Sequence, residues 1–513
     1  MNRVETMRAL LIPTVLALVV SACSSTRAPA GSGDSRTIYP VDLPPGFGEA
    51  DWMVTGPPSS PYFGDSLAEA GDTNGDGYDD FLVLATNVGY HGTSTVAYLY
   101  EGSATGPADT PEREIPFESD WGSAGSGDFD GDGYSDVLVG ADLENDAHGA
   151  VLVYAGSAEG LSTTPVTTLD GVNRQDYYGT AVSGVGDVDG DGYDDAMIGA
   201  AGVDSFRGAA YLYLGSPSGL QALPTSTVQG TTEHDSVGQE VDGAGDVNGD
   251  GFPDVIVSAP GVNSWAGVVY VYLGSASGLS ATAGTTVINH GDGRIGSFAE
   301  LSGAGDVNGD GFSDIVVGDP PDARVYFGSA TGTSITPSVH WEGDFSFGWP
   351  VSDAGDVDAD GYDDVLVGEP DALASNGEAD GGRAWLYLGS GNGPATEPDI
   401  GLVGADEPGT LFGAAVAGVG DVNGDGYDDV VIGAYGAAWL YLGRPTTSGA
   451  DPDSGAGGDS AGDTGGSADQ GCACASPGGA TPQALALLAG ALLTTRRRRP
   501  ARERSLRAHA RVS

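Results

Sequence analysis

A nine-residue acidic stretch recurs seven times along this chain, and no other feature constrains the fold as tightly. The copies read DTNGDGYDD, DFDGDGYSD, DVDGDGYDD, DVNGDGFPD, DVNGDGFSD, DVDADGYDD and DVNGDGYDD. Their starts lie 56, 59, 59, 60, 50 and 65 residues apart. A near-regular period of that length marks a repeat architecture. Each copy places oxygen side chains at positions one, three, five and nine, with Gly at position six. Gly at six allows the sharp turn that wraps a chain around an ion. Calcium is a hard cation that takes six to eight oxygens, and the stretch offers only oxygens. The aromatic at position seven would give its backbone carbonyl, leaving its ring free to pack.

The candidate calcium ligands follow repeat by repeat. The first two loops supply Asp72, Asn74, Asp76, Tyr78 and Asp80, then Asp128, Asp130, Asp132, Tyr134 and Asp136. The third and fourth supply Asp187, Asp189, Asp191, Tyr193 and Asp195, then Asp246, Asn248, Asp250, Phe252 and Asp254. The fifth and sixth supply Asp306, Asn308, Asp310, Phe312 and Asp314, then Asp356, Asp358, Asp360, Tyr362 and Asp364. The seventh supplies Asp421, Asn423, Asp425, Tyr427 and Asp429. The sixth loop has Ala359 where the others have Gly, a change expected to cost little because position four gives no side-chain oxygen. Asp, Asn and Gly also favour ordinary turns. Three or more carboxylates in nine residues nonetheless repel one another unless a cation intervenes. Up to seven structural Ca²⁺ ions are expected.

The surroundings of the loop exclude an EF-hand. That motif needs a bidentate Glu at position twelve and flanking helices. Position twelve here is apolar, as in Val83 and Val257. The runs after the loop, FLVLA, VLVGA, AMIGA and their counterparts, are β-branched and apolar and read as strands. Each repeat opens on an aromatic-Gly pair such as Phe63-Gly64, Trp121-Gly122, Tyr178-Gly179, Phe347-Gly348 or Phe412-Gly413. Val237-Gly238 and Ile295-Gly296 stand in for it in repeats four and five. A Gly/Ala/Pro turn follows the second strand, as in SAPG at 258–261, and a third strand ends in Gly-Ser.

The Phe-Gly start, the Gly-Ala-Pro turn and the acidic loop between them resemble the FG-GAP repeats of integrin alpha subunits across residues 50–445. That resemblance implies an all-β, seven-bladed β-propeller of four-stranded antiparallel blades. Register predicts how the ring closes. The last repeat ends with its third strand, so DWMVTG at 51–56, which has no earlier blade, is expected to close blade seven.

Composition narrows the partners. The chain holds 73 acidic and 19 basic residues, a formal charge of −54. That balance argues against nucleic acid and anionic membrane surfaces, which need basic protein. Bound calcium would relieve part of the self-repulsion, so metal binding and folding should be coupled. The repeat region contains no Cys, so disulfides do not staple it.

The ends read as targeting segments. Residues 1–22 resemble a secretory signal, and VSAC resembles a bacterial lipobox that would lipidate Cys23. Residues 23–49 read as a tether and 446–471 as a Gly/Ser/Asp-rich linker. Residues 472–513 join a Cys pair, a short apolar run and an Arg cluster, resembling the C-terminal sorting tails of myxobacterial surface proteins. An exported location at the outer membrane or cell surface is expected, anchored by lipid, tail or both.

The loops after the second strands differ between repeats and fall on the face opposite the acidic loops. In integrins that face binds partners. Tyr90, His91, His148, Phe206, Arg207 and Trp265 stand out there as candidate contacts. No nucleophile elbow, HExxH or phosphate-cradling loop occurs, so a non-enzymatic module is expected. The leading expectation is adhesion to, or recognition of, a protein or polysaccharide. The alternatives are a hydrolase or lyase over the central channel, and a purely structural envelope protein.

Overall fold

A computed structural model describes residues 50–89, 92–119, 122–265, 267–288, 300–372, 381–403 and 411–445. The signal, lipobox, tether, linker and sorting-tail segments lie outside them, as do Trp121 and the Ile295-Gly296 pair. Among the described residues the strands form seven four-stranded antiparallel sheets. Within a sheet, consecutive strands pair with their neighbours in sequence, as in blade three: Tyr178–Gly186, Asp195–Ala200, Ala209–Tyr213 and Ser226–Gln229. The first strands of the blades touch one another in a closed ring. This is the seven-bladed β-propeller.

Why the second strands are apolar throughout becomes clear from their burial. In Asp80–Gly89, Phe81, Val83 and Ala85 pack with Ala417, Val431 and Leu440 of blade seven, while Leu82 and Leu84 pack with Val137 and Val139 of blade two. Alternate side chains therefore serve opposite interfaces. A strand covered on both sides needs apolar residues at every position. Blade three repeats the scheme, with Met197 facing blade four and Ala196 and Ile198 facing blade two. The core is thus a set of layers between blades rather than one central mass.

Closure follows the register. Trp52–Thr55 pairs antiparallel with Ala437–Tyr441, so the outer strand of blade seven comes from the start of the described chain. The Asp51 amide donates to the Leu440 carbonyl at 2.9 Å, the Leu442 amide donates to the Asp51 carboxylate at 3.0 Å, and Arg444 pairs with the same carboxylate.

The Phe-Gly pair has a steric basis. Gly64 sits at φ +84°, and a Cβ there would lie 2.3 Å from the Ala437 carbonyl oxygen. Only glycine lets the first strand approach the neighbouring hairpin so closely. Opposite the acidic loops, the structure adds a detail the sequence reading lacks. The turns after the second strands of blades two, three and four each form one helical turn, Glu144–Ala147, Val203–Phe206 and Val262–Trp265. Left-handed residues interrupt them: Asn145 and Ala147, then Asp204, Ser205 and Phe206, then Asn263.

Candidate functional site

The seven acidic loops all connect first to second strands, so the antiparallel order places them on one face. Each is tied internally in the same way. The position-one carboxylate accepts the amides of positions five and six. In the third loop Asp191 donates to Asp187 at 2.9 Å and Gly192 at 2.7 Å. The position-five carboxylate accepts the position-seven amide, as Asp191 does from Tyr193 at 3.2 Å. The carboxylate oxygens are thereby turned inward on a short arc of chain.

In three loops carboxylate oxygens of Asp128, Asp130 and Asp132, of Asp187, Asp189 and Asp195, and of Asp356, Asp358 and Asp360 lie within 4.8 Å of one another. Those are the three loops with Asp at position three; the other four have Asn there. Oxygens held about 2.4 Å from a common centre lie up to about 4.8 Å apart, the spacing of calcium ligands. Burial first, then the neighbouring carboxylates, raises the pKa values of Asp130, Asp189 and Asp360. An all-oxygen donor set with unbalanced negative charge fits a hard divalent cation.

The position-nine aspartates do more than the sequence suggests. All seven are buried. One oxygen of Asp195 accepts the position-two amide of Val188 at 2.9 Å, and the other accepts the Gly215 amide at the end of the third strand at 2.8 Å. Asp80, Asp136, Asp254, Asp364 and Asp429 make the same pair of contacts. This residue pins the loop to its own blade. Burial lifts these carboxyls, against the pull of their amide donors: Asp80 to about 6, Asp136, Asp195, Asp254 and Asp314 to about 7, and Asp364 and Asp429 to about 8.

Position four corrects the sequence reading. It adopts a left-handed backbone in all seven loops, with φ from +69° to +74° at the six glycines and +56° at Ala359. A Cβ at Gly75 would also meet the Tyr134 ring at 2.4 Å, and one at Gly424 the Tyr78 ring at 2.6 Å. The aromatic at position seven thus covers position four of the preceding loop. Ala359 carries a backbone cost whatever its side chain offers, because L residues disfavour this region. Ala359→Gly should therefore stabilise the fold by about 1 kcal/mol. A thermal melt checks this, and a lower melting temperature would refute it.

A second acidic group lines the inner strands. Glu240, Asp242, Glu300 and Asp353 stand there with carboxyls raised, chiefly by burial, beside the exposed Glu69. Glu300 and Asp353 reach about 7. Asp242 accepts the Ser183 hydroxyl at 2.7 Å and the Gly303 amide at 3.2 Å, so it bridges three first strands.

On the opposite face, Phe206 lies between Tyr177 and His234, with ring centroids 6.2 and 6.1 Å away. Tyr177 and His234 also have left-handed backbones, so backbone strain is concentrated at these turns. Arg207 pairs with Asp204, and the ring of His148 bonds the Asn145 carbonyl, so both candidates are engaged within their own loops. Tyr62 and Tyr435 pack edge to face at 5.2 Å on the same side. Sequence reasoning singled out Phe206 but not Tyr177, His234, Tyr62 or Tyr435, whose company depends on the turn geometry. Tyr90 and His91 lie outside the described residues, as does the side chain of Trp265.

Ring closure, four-stranded blades and acidic loops on one face together define a repeat propeller with an acidic loop in every blade. Part of the chain is similar to FG-GAP repeats. It matches the FG-GAP repeat over residues 238–272, 348–387 and 412–459, and the FG-GAP-like repeat over 72–139 and 306–367. Integrin alpha-V of Gallus gallus is 30% identical over 231 residues, which is 42% of this chain and 22% of that protein. Integrin alpha pat-2 of Caenorhabditis elegans is 34% identical over 219 residues, 38% of this chain and 17% of the relative. Integrin alpha-5 of Xenopus laevis is 33% identical over 155 residues, 28% and 15% respectively. The chain therefore spans at most about a fifth of the length of these relatives.

Proposed function

We propose that this chain is an exported recognition or adhesion module in which calcium ions brace one face of the propeller and the other face binds a protein or polysaccharide. The ions are structural: they neutralise the loop carboxylates and fix blade ends, while binding falls to the variable turns. The single observation that carries the reading is this division of the molecule. Uniform oxygen-lined loops occupy one side, and strained, aromatic-bearing turns around Phe206 and Tyr435 occupy the other. Aromatic faces beside polar groups stack on sugar rings and on partner side chains. The likeness to integrin alpha subunits supports the same reading, as do the signal and anchor segments expected at the chain ends.

The test is a glycan and extracellular-protein array probed with the full chain in calcium. Binding should weaken about tenfold or more in Phe206→Ala, with the melting temperature nearly unchanged. A ligand whose affinity ignores Phe206 and Tyr435 substitutions would place binding elsewhere. The raised carboxyls of the inner strands favour a second reading, a hydrolase acting over the channel. Turnover of a glycan or ester substrate that is lost in Glu69→Gln would establish that reading instead.

A further inference from the structure

The acidic loops are not independent of one another. Position eight, between the aromatic at seven and the Asp at nine, reaches back to position one of the preceding loop in six of the seven loops. The Asp194 amide donates to the Asp128 carbonyl at 3.1 Å, and the Asp128 amide donates to the Asp194 carboxylate at 2.9 Å. The same double contact joins Asp363 to Asp306, Asp428 to Asp356 and, closing the ring, Asp79 to Asp421. Ser135 and Ser313 make only the amide contact, to the Asp72 and Asp246 carbonyls, each at 3.0 or 3.1 Å. Pro253 has no amide hydrogen and no carboxylate, so Asp187 receives neither bond from it.

We infer that position eight is a latch that sets the cation affinity of the preceding loop; the inference rests on the cation reading above. Position one supplies the first carboxylate of each loop, and its oxygens also hold the amides of positions five and six. Without an ion, mutual repulsion of the carboxylates pushes this residue outward. A latch that holds its backbone in place reduces the ordering that ion binding must otherwise impose, and preorganisation of that kind raises affinity. Contacts to an ionised acceptor are the stronger ones. Loops two, five, six and seven are therefore doubly latched, loops one and four singly, and loop three is unlatched by its neighbour.

Hydrogen exchange with mass spectrometry on the full chain, followed through a calcium titration, tests this at single loops. In Asp194→Ala the calcium midpoint for protection of residues 128–136 should rise about fivefold, the differential weight of one charge-assisted hydrogen bond. Protection of residues 187–195, which contain the substitution, should keep its midpoint. Pro253→Asp should do the reverse at a distance, lowering the midpoint of residues 187–195 by a similar factor. A shift confined to the substituted loop, equal shifts in both loops, or no shift would overturn the latch. Loops of the unsubstituted chain that ignore calcium altogether would instead overturn the cation reading.

Discussion

Removing calcium at neutral pH should lower the melting temperature of this protein by about 10–15 °C, and restoring it should recover the loss. Extracellular modules hold calcium at roughly 10⁻⁴–10⁻³ M. At about 5 mM calcium such a site stabilises the folded state by about 1–2 kcal/mol, so the seven loops together contribute roughly 10 kcal/mol. A propeller of this length changes its unfolding entropy by roughly 0.8 kcal/mol per degree, which converts that sum to the stated shift. Magnesium should restore much less, because it demands a tighter octahedral shell. A melt that ignores both chelation and calcium would refute structural ions. Scanning calorimetry gives the measurement directly.

Acidification should have opposite effects on the metal-depleted and calcium-loaded forms. With no cation beside them, the position-nine carboxyls lie at about 6 to 8, against an ordinary 3.8. Glu300 and Asp353 on the inner strands rise to about 7. A raised folded pKa means that the native state holds the proton more tightly than the unfolded chain. The linked stability is complete below the unfolded value and is lost as pH climbs through the folded one. Metal-depleted protein should therefore melt higher at about pH 5 than at about pH 8, by several degrees. The loaded form should show the reverse slope, because protons compete with calcium for the same oxygens. Two melting curves of like slope would show that the loop carboxylates neither repel in the free state nor bind an ion in the loaded one.

Much of this architecture was legible because its signals are local. The acidic nonapeptide, the β-branched run after it and the Phe-Gly start each fall within a few consecutive residues. Even the closing strand could be inferred, since the last repeat lacks one and residues 51–56 have no earlier blade. What escaped has partners distant in sequence. Asp194 looks like one more surface acid, yet it binds Asp128, 66 residues earlier. Position eight varies among Asp, Ser and Pro, so it resembles filler until the neighbouring blade is in place. Ala359 was misjudged for a related reason. Its side chain is irrelevant to ion binding, but its backbone angle is not, and sequence displays only the side chain. The binding turns were hardest to read, because Tyr177, Phe206 and His234 meet only through three left-handed residues that no propensity favours.

The strand at Trp52–Thr55 has a consequence for how the molecule is made. It precedes every other described strand in the chain, yet its partner at Ala437–Tyr441 follows only after six blades. Until then blade one must wait with Phe81, Val83 and Tyr98 bare, since their cover comes from the same late blade. A chain stopped just before Ala437 would lack the strand that pairs with Trp52–Thr55 and would leave the blade-one face without its blade-seven cover.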